Sequence, residues 1–231
     1  MIEIVRTDLK NIIRDPSLVL ICFVPFIMLA LLYFGYPPLL SAWPEAAQYS
    51  GLGLAMFCIT GSVMPGIAIA FAMLDEKDQH LQQVLQILPV SFRHITLLRL
   101  TITFLFGFVS ALLMLTFSGI ISYTITQTLL LAMLTAAIAP LMAIIPAFYA
   151  SNKIEGATLS KLLNFLIMIP IPAFLFPGTW SWFMMIFPSW WIYFAFESVE
   201  NPVRLVGAVA GGLIYLSVIM IVINKIIWPR K

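Results

Sequence analysis

The side chains able to do chemistry are gathered in one short stretch. Asp75, Glu76, Asp78 and His80 fall within six positions, and His94 follows. Carboxylates beside an imidazole can hold a metal ion or pass protons. The spacing fits no known ligand pattern, however, and neighbours such as Glu76 and Lys77 point different ways on a helix. The same stretch also reads mechanically. Leu81, Val84, Leu85 and Leu88 recur at i, i+3, i+4 and i+7, one apolar stripe of a helix. Pro89 ends that helix, and Ser91 offers an N-cap for a second one through Phe92, Ile95 and Leu98. The acids then open the first helix, where its dipole favours them. A helix resting on lipid would carry Lys and Arg on its polar face. Here that face holds acids and glutamines with Lys77 alone, which suits a groove on a partner protein.

The elements that must position this stretch are membrane spans. The 231-residue chain is 62% hydrophobic and 10% charged, against about 25% charged in soluble domains. About 20 apolar residues cross the hydrocarbon core. Six runs qualify, near Ser17–Tyr36, Leu52–Leu74, Leu97–Ile121, Thr128–Ala150, Leu162–Pro177 and Val203–Ile223. The expected class is an all-α integral membrane protein with six transmembrane helices. No repeat or linker divides it, so residues 1–231 read as one transmembrane domain.

Basic residues set the orientation. Arg6, Lys10, Arg14, Lys77, Arg93, Arg99, Lys153, Lys161, Lys225, Arg230 and Lys231 all fall on one side of a six-span arrangement, and only Arg204 on the other. Cytoplasmic loops carry the excess of Lys and Arg, so both termini are expected in the cytoplasm. A seventh span would put the basic C-terminus outside. Pro170, Pro172, Pro177 and Pro188 therefore belong to the fifth span and a short hydrophobic outer hairpin over 178–200. Its Trp180, Trp182, Trp190 and Trp191 suit the membrane–water interface. Residues 1–15 read as an interfacial helix, with Ile2, Val5, Leu9, Ile12 and Ile13 on one face. Asp15 can cap the next helix and Pro16 open it. No cleavable signal is evident. Cys22 and Cys58 sit in apolar runs and are expected to be buried thiols.

The membrane interior narrows the function. No Asp, Glu, Lys, Arg or His is expected deep in a span. Proton-coupled carriers, many sodium-coupled carriers and intramembrane hydrolases rely on such groups. The small net charge of +2 gives no reason to expect nucleic acid. The sequence holds no G-x-x-x-x-G-K-[ST] phosphate loop, so ATP, if it supplies work, is hydrolysed on another polypeptide.

The stretch "DEKDQHLQQVLQILPVSFRHITLLRL" resembles the cytoplasmic coupling segment of ABC-2-type transporter permeases. In those an acid opens a short helix, a Leu-rich turn leads to a Leu-Pro-x-Ser corner, and a basic residue follows. Here these are Glu76, Leu85, Leu88-Pro89-Val90-Ser91 and Arg93. "RDP" before the first span, Pro25 within it, and "NKIEGATLSKL" before the fifth match as well. Family members often carry Gly where this chain has Gln79 and His80. The resemblance implies a transport subunit that is not itself an enzyme and binds no cofactor, paired with a second permease copy or close relative. A separate ABC ATPase carrying ATP and Mg would grip the coupling segment, residues 75–96, through Glu76, Lys77, Leu81, Leu85, Leu88, Pro89 and Arg93. The second and fifth spans would line the path, through Met56, Thr60 and Met64 on one and Asn164, Met168 and Phe174 on the other. Apolar lining implies a hydrophobic or amphipathic cargo, a drug, peptide or lipid, exported across the plasma membrane. The competing expectation is a membrane-embedded enzyme acting on lipid head groups through Asp75, Glu76, Asp78 and His80.

Overall fold

The structure, a computed structural model, describes residues 10–79, 92–176 and 178–228. Among these the chain is helical throughout, with no strand. Residues 10–14 are helical. Asp15 then caps α1 (Pro16–Ala30) by accepting from the Ser17 amide at 2.9 Å, with Pro16 as the first helical residue. A π turn over Leu31–Gly35 leads into α2 (Tyr36–Ala42). Pro37 and Pro38 have no N–H to give the carbonyls one turn back, and the helix loosens ahead of them. A 3₁₀ turn, Pro44–Tyr49, joins α3 (Ser50–Asp78), 29 residues long.

Next come α4 (Phe92–Phe117), α5 (Ile125–Ala136) and α6 (Ala139–Tyr149). Thr124 and Gln127 close a reciprocal capping box at the start of α5, satisfying two orphan donors. The break between α5 and α6 falls just ahead of Pro140, which cannot continue the hydrogen-bond ladder. Then follow α7 (Lys153–Met168) and α8 (Ile171–Leu175), a 3₁₀ segment Thr179–Ile186, α9 (Pro188–Glu197) and α10 (Pro202–Ile227). Asn201 caps α10 through the Val203 and Arg204 amides.

Six of these stretches are long and apolar enough to cross a membrane: Pro16–Ala42, Pro44–Asp78, Phe92–Phe117, Ile125–Tyr149, Lys153–Leu175 and Pro202–Ile227. They differ in depth. The most apolar windows of the second and fourth are 67% and 72% buried, against 17% for the first and fifth and 22% for the sixth. The second and fourth spans therefore form the core, and the others wrap it with one face outward. Small residues allow this closeness, as packing between helices in lipid requires. A Cβ on Gly66 would stand 2.4 Å from the Ala139 carbonyl oxygen, and one on Gly107 3.0 Å from that of Ser62. The Ser62 hydroxyl donates to Gly107 O at 3.0 Å, locking α3 to α4. Pro65 sits inside α3 among buried neighbours.

Three expectations change. Asp75, Glu76 and Asp78 lie in the last turn of α3, which runs on to Asp78, while the helix over 81–88 that they are expected to open lies outside the described residues. With no Gly or Pro between Ile67 and Gln79, nothing stops the helix at the lipid boundary. The fifth helix begins at Lys153 rather than Leu162, because Asn152 caps it by accepting from the Ile154 and Glu155 amides at 3.0 and 2.9 Å. Finally, Trp190 and Trp191 are packed into the bundle rather than exposed as Trp182 is. Trp190 is 5% exposed, stacked on Phe194 with ring centroids 4.8 Å apart. Trp191 lies against Gly211 and Gly212, where an added Cβ would come within 2.5 and 2.9 Å of it.

Candidate functional site

The two ends of the bundle have opposite chemistry. One gathers the basic residues and the acids closing α3, and is called here the charged end. The other carries α8, the 3₁₀ segment and α9, and is the aromatic end.

At the charged end, acids closing α3 are misplaced with respect to their own helix dipole. Neighbouring elements compensate. Arg99, in the second turn of α4, grips Glu76 with both arms, Nη1 to Oε2 at 2.8 Å and Nη2 to Oε1 at 2.5 Å. The two side chains are only 3% and 13% exposed, so this is a charge-assisted fork in a largely dry place. Lys153 Nζ donates to Asp75 Oδ2 and Asp15 Oδ2, each at 2.9 Å. The Lys153 amide, at the positive start of α7, points to Asp78 Oδ2 at 3.4 Å. Lys77 Nζ donates to Ala150 O at 2.7 Å, satisfying a carbonyl at the end of α6. Above this knot α7 lies tight on α3: a Cβ on Gly156 would be 2.2 Å from Leu74 Cδ1. The network thus ties the ends of five spans, the first through Asp15 and the second to fifth through Glu76, Arg99, Ala150 and Lys153. The Ser17 hydroxyl, followed by Lys153, holds the Asp15 carboxyl well below its usual range, at about 2.

Of the residues expected to couple to an ATPase, Glu76, Lys77 and Arg93 are described. Glu76 and Lys77 join the network, while the exposed Arg93 is the second residue of α4, near the end of α10. Leu81, Leu85, Leu88 and Pro89 lie outside the described residues, as does His80. The acids do not converge on a common point. Asp75 and Glu76 are each taken by a different cation, and among the described residues no group of three His, Cys, Asp or Glu is placed to hold a metal.

The expected path residues separate into three groups. Met56, Thr60 and Met64 form one part-exposed stripe of the otherwise buried α3, and the Thr60 hydroxyl bonds back to Met56 O at 2.8 Å. Asn164 and Met168 stand one turn apart on α7. The Asn164 amide donates to Ser160 O at 3.0 Å, and Met168 is exposed. Phe174 is held in the aromatic end, between Trp190 at 6.0 Å and Tyr193 at 5.9 Å.

Sequence reasoning missed the partners. Arg99 counted only as a loop charge, although the apolar neighbours in "ITLLRLTITF" signal a cation that needs a carboxylate. Lys153 carried no comparable signal, since its two acids lie 78 and 138 positions away.

Six apolar crossings, wrapped around two core spans and bound at one end by ion pairs, define a multi-pass helical membrane protein. The chain belongs to the family described as "Fluoroquinolones export permease protein Rv2686c-like", whose model matches residues 8–224. It is similar to the fluoroquinolones export permease proteins MT2760 and Rv2686c of Mycobacterium tuberculosis, strains CDC 1551 / Oshkosh and ATCC 25618 / H37Rv. Each is 23% identical over 235 aligned residues, covering 95% of this chain and 91% of theirs. No solved structure matches the chain. An export-permease family agrees with the ABC-2-type resemblance of the coupling stretch.

Proposed function

We propose that this chain is the membrane-spanning subunit of an ATP-driven exporter, powered by a separate ABC ATPase that grips residues 75–96 from the cytoplasm. The observation that carries the reading is the network at the root of that segment. A push on the chain beyond Asp78 reaches α3 directly, α4 through Glu76–Arg99, and α1 and α7 through Asp75–Lys153–Asp15. One local displacement thereby becomes a concerted shift of spans, as a packed two-state element requires. A second copy of the chain completes the path, with the Met56–Thr60–Met64 stripe and the Asn164–Met168 face turned toward it. The cargo is amphipathic and largely apolar. A fluoroquinolone, named for the relatives, fits that class through its flat ring system.

The test is reconstitution of the permease with its ATPase in sealed vesicles, following ATP hydrolysis and fluoroquinolone movement together. Arg99→Gln and Glu76→Gln are expected to leave hydrolysis largely in place while transport falls at least about tenfold, a barrier change near 1.4 kcal/mol. Transport by the permease alone, or full transport by both variants, would overturn the reading.

A further inference from the structure

A second site lies at the charged end, away from the ion-pair network. Between the start of α4 and the end of α10 opens a cleft of about 590 Å³ lined by Arg93, Ile221, Asn224, Lys225 and Trp228. Arg93 and Lys225 are exposed and come from different helices, and neither has an ion-pair partner among the described residues. Two cations on separate rigid elements, facing one space with no carboxylate among the described residues that line it, make a place for an anion. Asn224 adds an amide whose Oδ1 is buried with no hydrogen-bond partner. Such an orphan calls for a donor that the described residues do not supply.

The surroundings specify what kind of anion. Ile214, Val218, Ile221 and Lys225 follow i, i+4, i+7 and i+11, so they form one stripe of α10. The three apolar members are 66%, 52% and 54% exposed. The stripe runs from the middle of the span down to the charged cleft. Trp228 closes the cleft's end, fixed edge-on to Phe148 at 5.1 Å. An indole at that depth is the usual marker of the head-group level. A soluble phosphate would have no use for the apolar track, and an acidic protein helix would not reach up it. A phospholipid uses both, with its tail on Ile214–Val218–Ile221 and its phosphate between Arg93 and Lys225.

We infer that the Arg93–Lys225–Trp228 cleft binds the head group of an anionic phospholipid, with a head-group hydroxyl donating to Asn224. Basic pockets between spanning helices are built for such head groups, each cation strengthening the attraction by about fivefold. The occupied site would bridge α4 to α10, next to the root of the coupling segment.

The experiment uses the purified full chain in a neutral detergent. Native mass spectrometry compares retention of phosphatidylglycerol with that of phosphatidylcholine carrying the same acyl chains. Wild type is expected to retain phosphatidylglycerol preferentially. Arg93→Gln and Lys225→Gln should each weaken retention about fivefold, and together about 25-fold. Arg93→Lys combined with Lys225→Arg should keep it, as should Arg204→Gln at the opposite end. Should the neutral double variant fail to fold, quenching by brominated phosphatidylglycerol decides: it must include a component lost in Trp228→Phe, and its absence overturns the site. Unchanged retention in a folded double variant also overturns it. So does displacement of the lipid by equimolar glycerol phosphate, which would mean a soluble phosphate site. Loss of ATPase binding in the double variant with lipid retention intact would assign the cleft to a partner protein instead.

Discussion

The charged end and the aromatic end hold the bundle by different means, the charged end tying five of the six spans through polar contacts. At the charged end every acid of the α3 terminus has a polar partner at a defined angle. At the aromatic end rings pack on rings, and most of the buried polar atoms without a partner lie there, with Ser160 and Asn224 toward the charged end the others. Ser118, Tyr123, Ser189, Trp191 and Tyr193 each keep a buried polar atom with no partner in the described structure. Directional contacts in a dry setting fix one arrangement and are costly to break. Ring pairs also prefer particular geometries, but each is worth only about 0.5–1.5 kcal/mol, less than breaking a buried ion pair. The difference teaches that the charged end is held by specific pairs and the aromatic end by shape, so a push of the kind proposed would meet the stiffer geometry first.

The largest expected effect breaks the stiff end. Glu76→Leu removes the carboxylate that takes both arms of the buried Arg99 guanidinium, and is expected to cost about 3 kcal/mol or more of stability. Thermal or denaturant unfolding in detergent measures it. Glu76→Leu combined with Arg99→Leu should recover most of the loss, because both halves of the buried fork are then apolar. If the single variant is as stable as the parent, the two ends do not differ as argued.

A middle-sized effect probes the aromatic end. Gly212→Val would set a branched side chain where even a Cβ comes within 2.7 Å of Leu134 Cδ1 and 2.9 Å of Trp191 Cβ. Overpacking of this kind costs about 1–3 kcal/mol. Near-ultraviolet circular dichroism should show the Trp190–Trp191 environment altered, while Glu76–Arg99 variants leave that signal unchanged.

The smallest effect concerns Asp15. Its folded pKa, about 2, lies below the ordinary 3.8. The stabilisation is therefore present above about pH 4 and lost as pH falls from there toward 2. Asp15→Asn keeps an N-cap but drops the ion pair to a half-exposed Lys153, worth no more than about 1 kcal/mol. Unfolding curves should differ from the parent at pH 6 and converge with it near pH 2.

How much of this could be read in advance follows from what hydropathy measures. It separates water from non-water, so all six crossings were legible, as was the Asp15–Pro16 entry into the first. It does not separate lipid from protein. Trp190 and Trp182 look alike in sequence, yet one is buried and the other faces outward. Nor does local pattern see pairing across the bundle. Glu76 read as a helix opener because acids favour N-termini. It closes a helix instead, since Arg99, 23 positions away, supplies what the dipole withholds. The end of α3 was hidden for the same reason, because nothing nearby in sequence stops it.

That uninterrupted α3 has a mechanical meaning. Its 29 residues, at 1.5 Å each, give a rod of about 43 Å, while the hydrocarbon layer is about 30 Å thick. Roughly two helical turns must overhang the lipid, and the clamped carboxylates sit on that overhang. Under the proposed function, a force applied there would act like a hand on an oar beyond its rowlock, with the membrane boundary as the pivot.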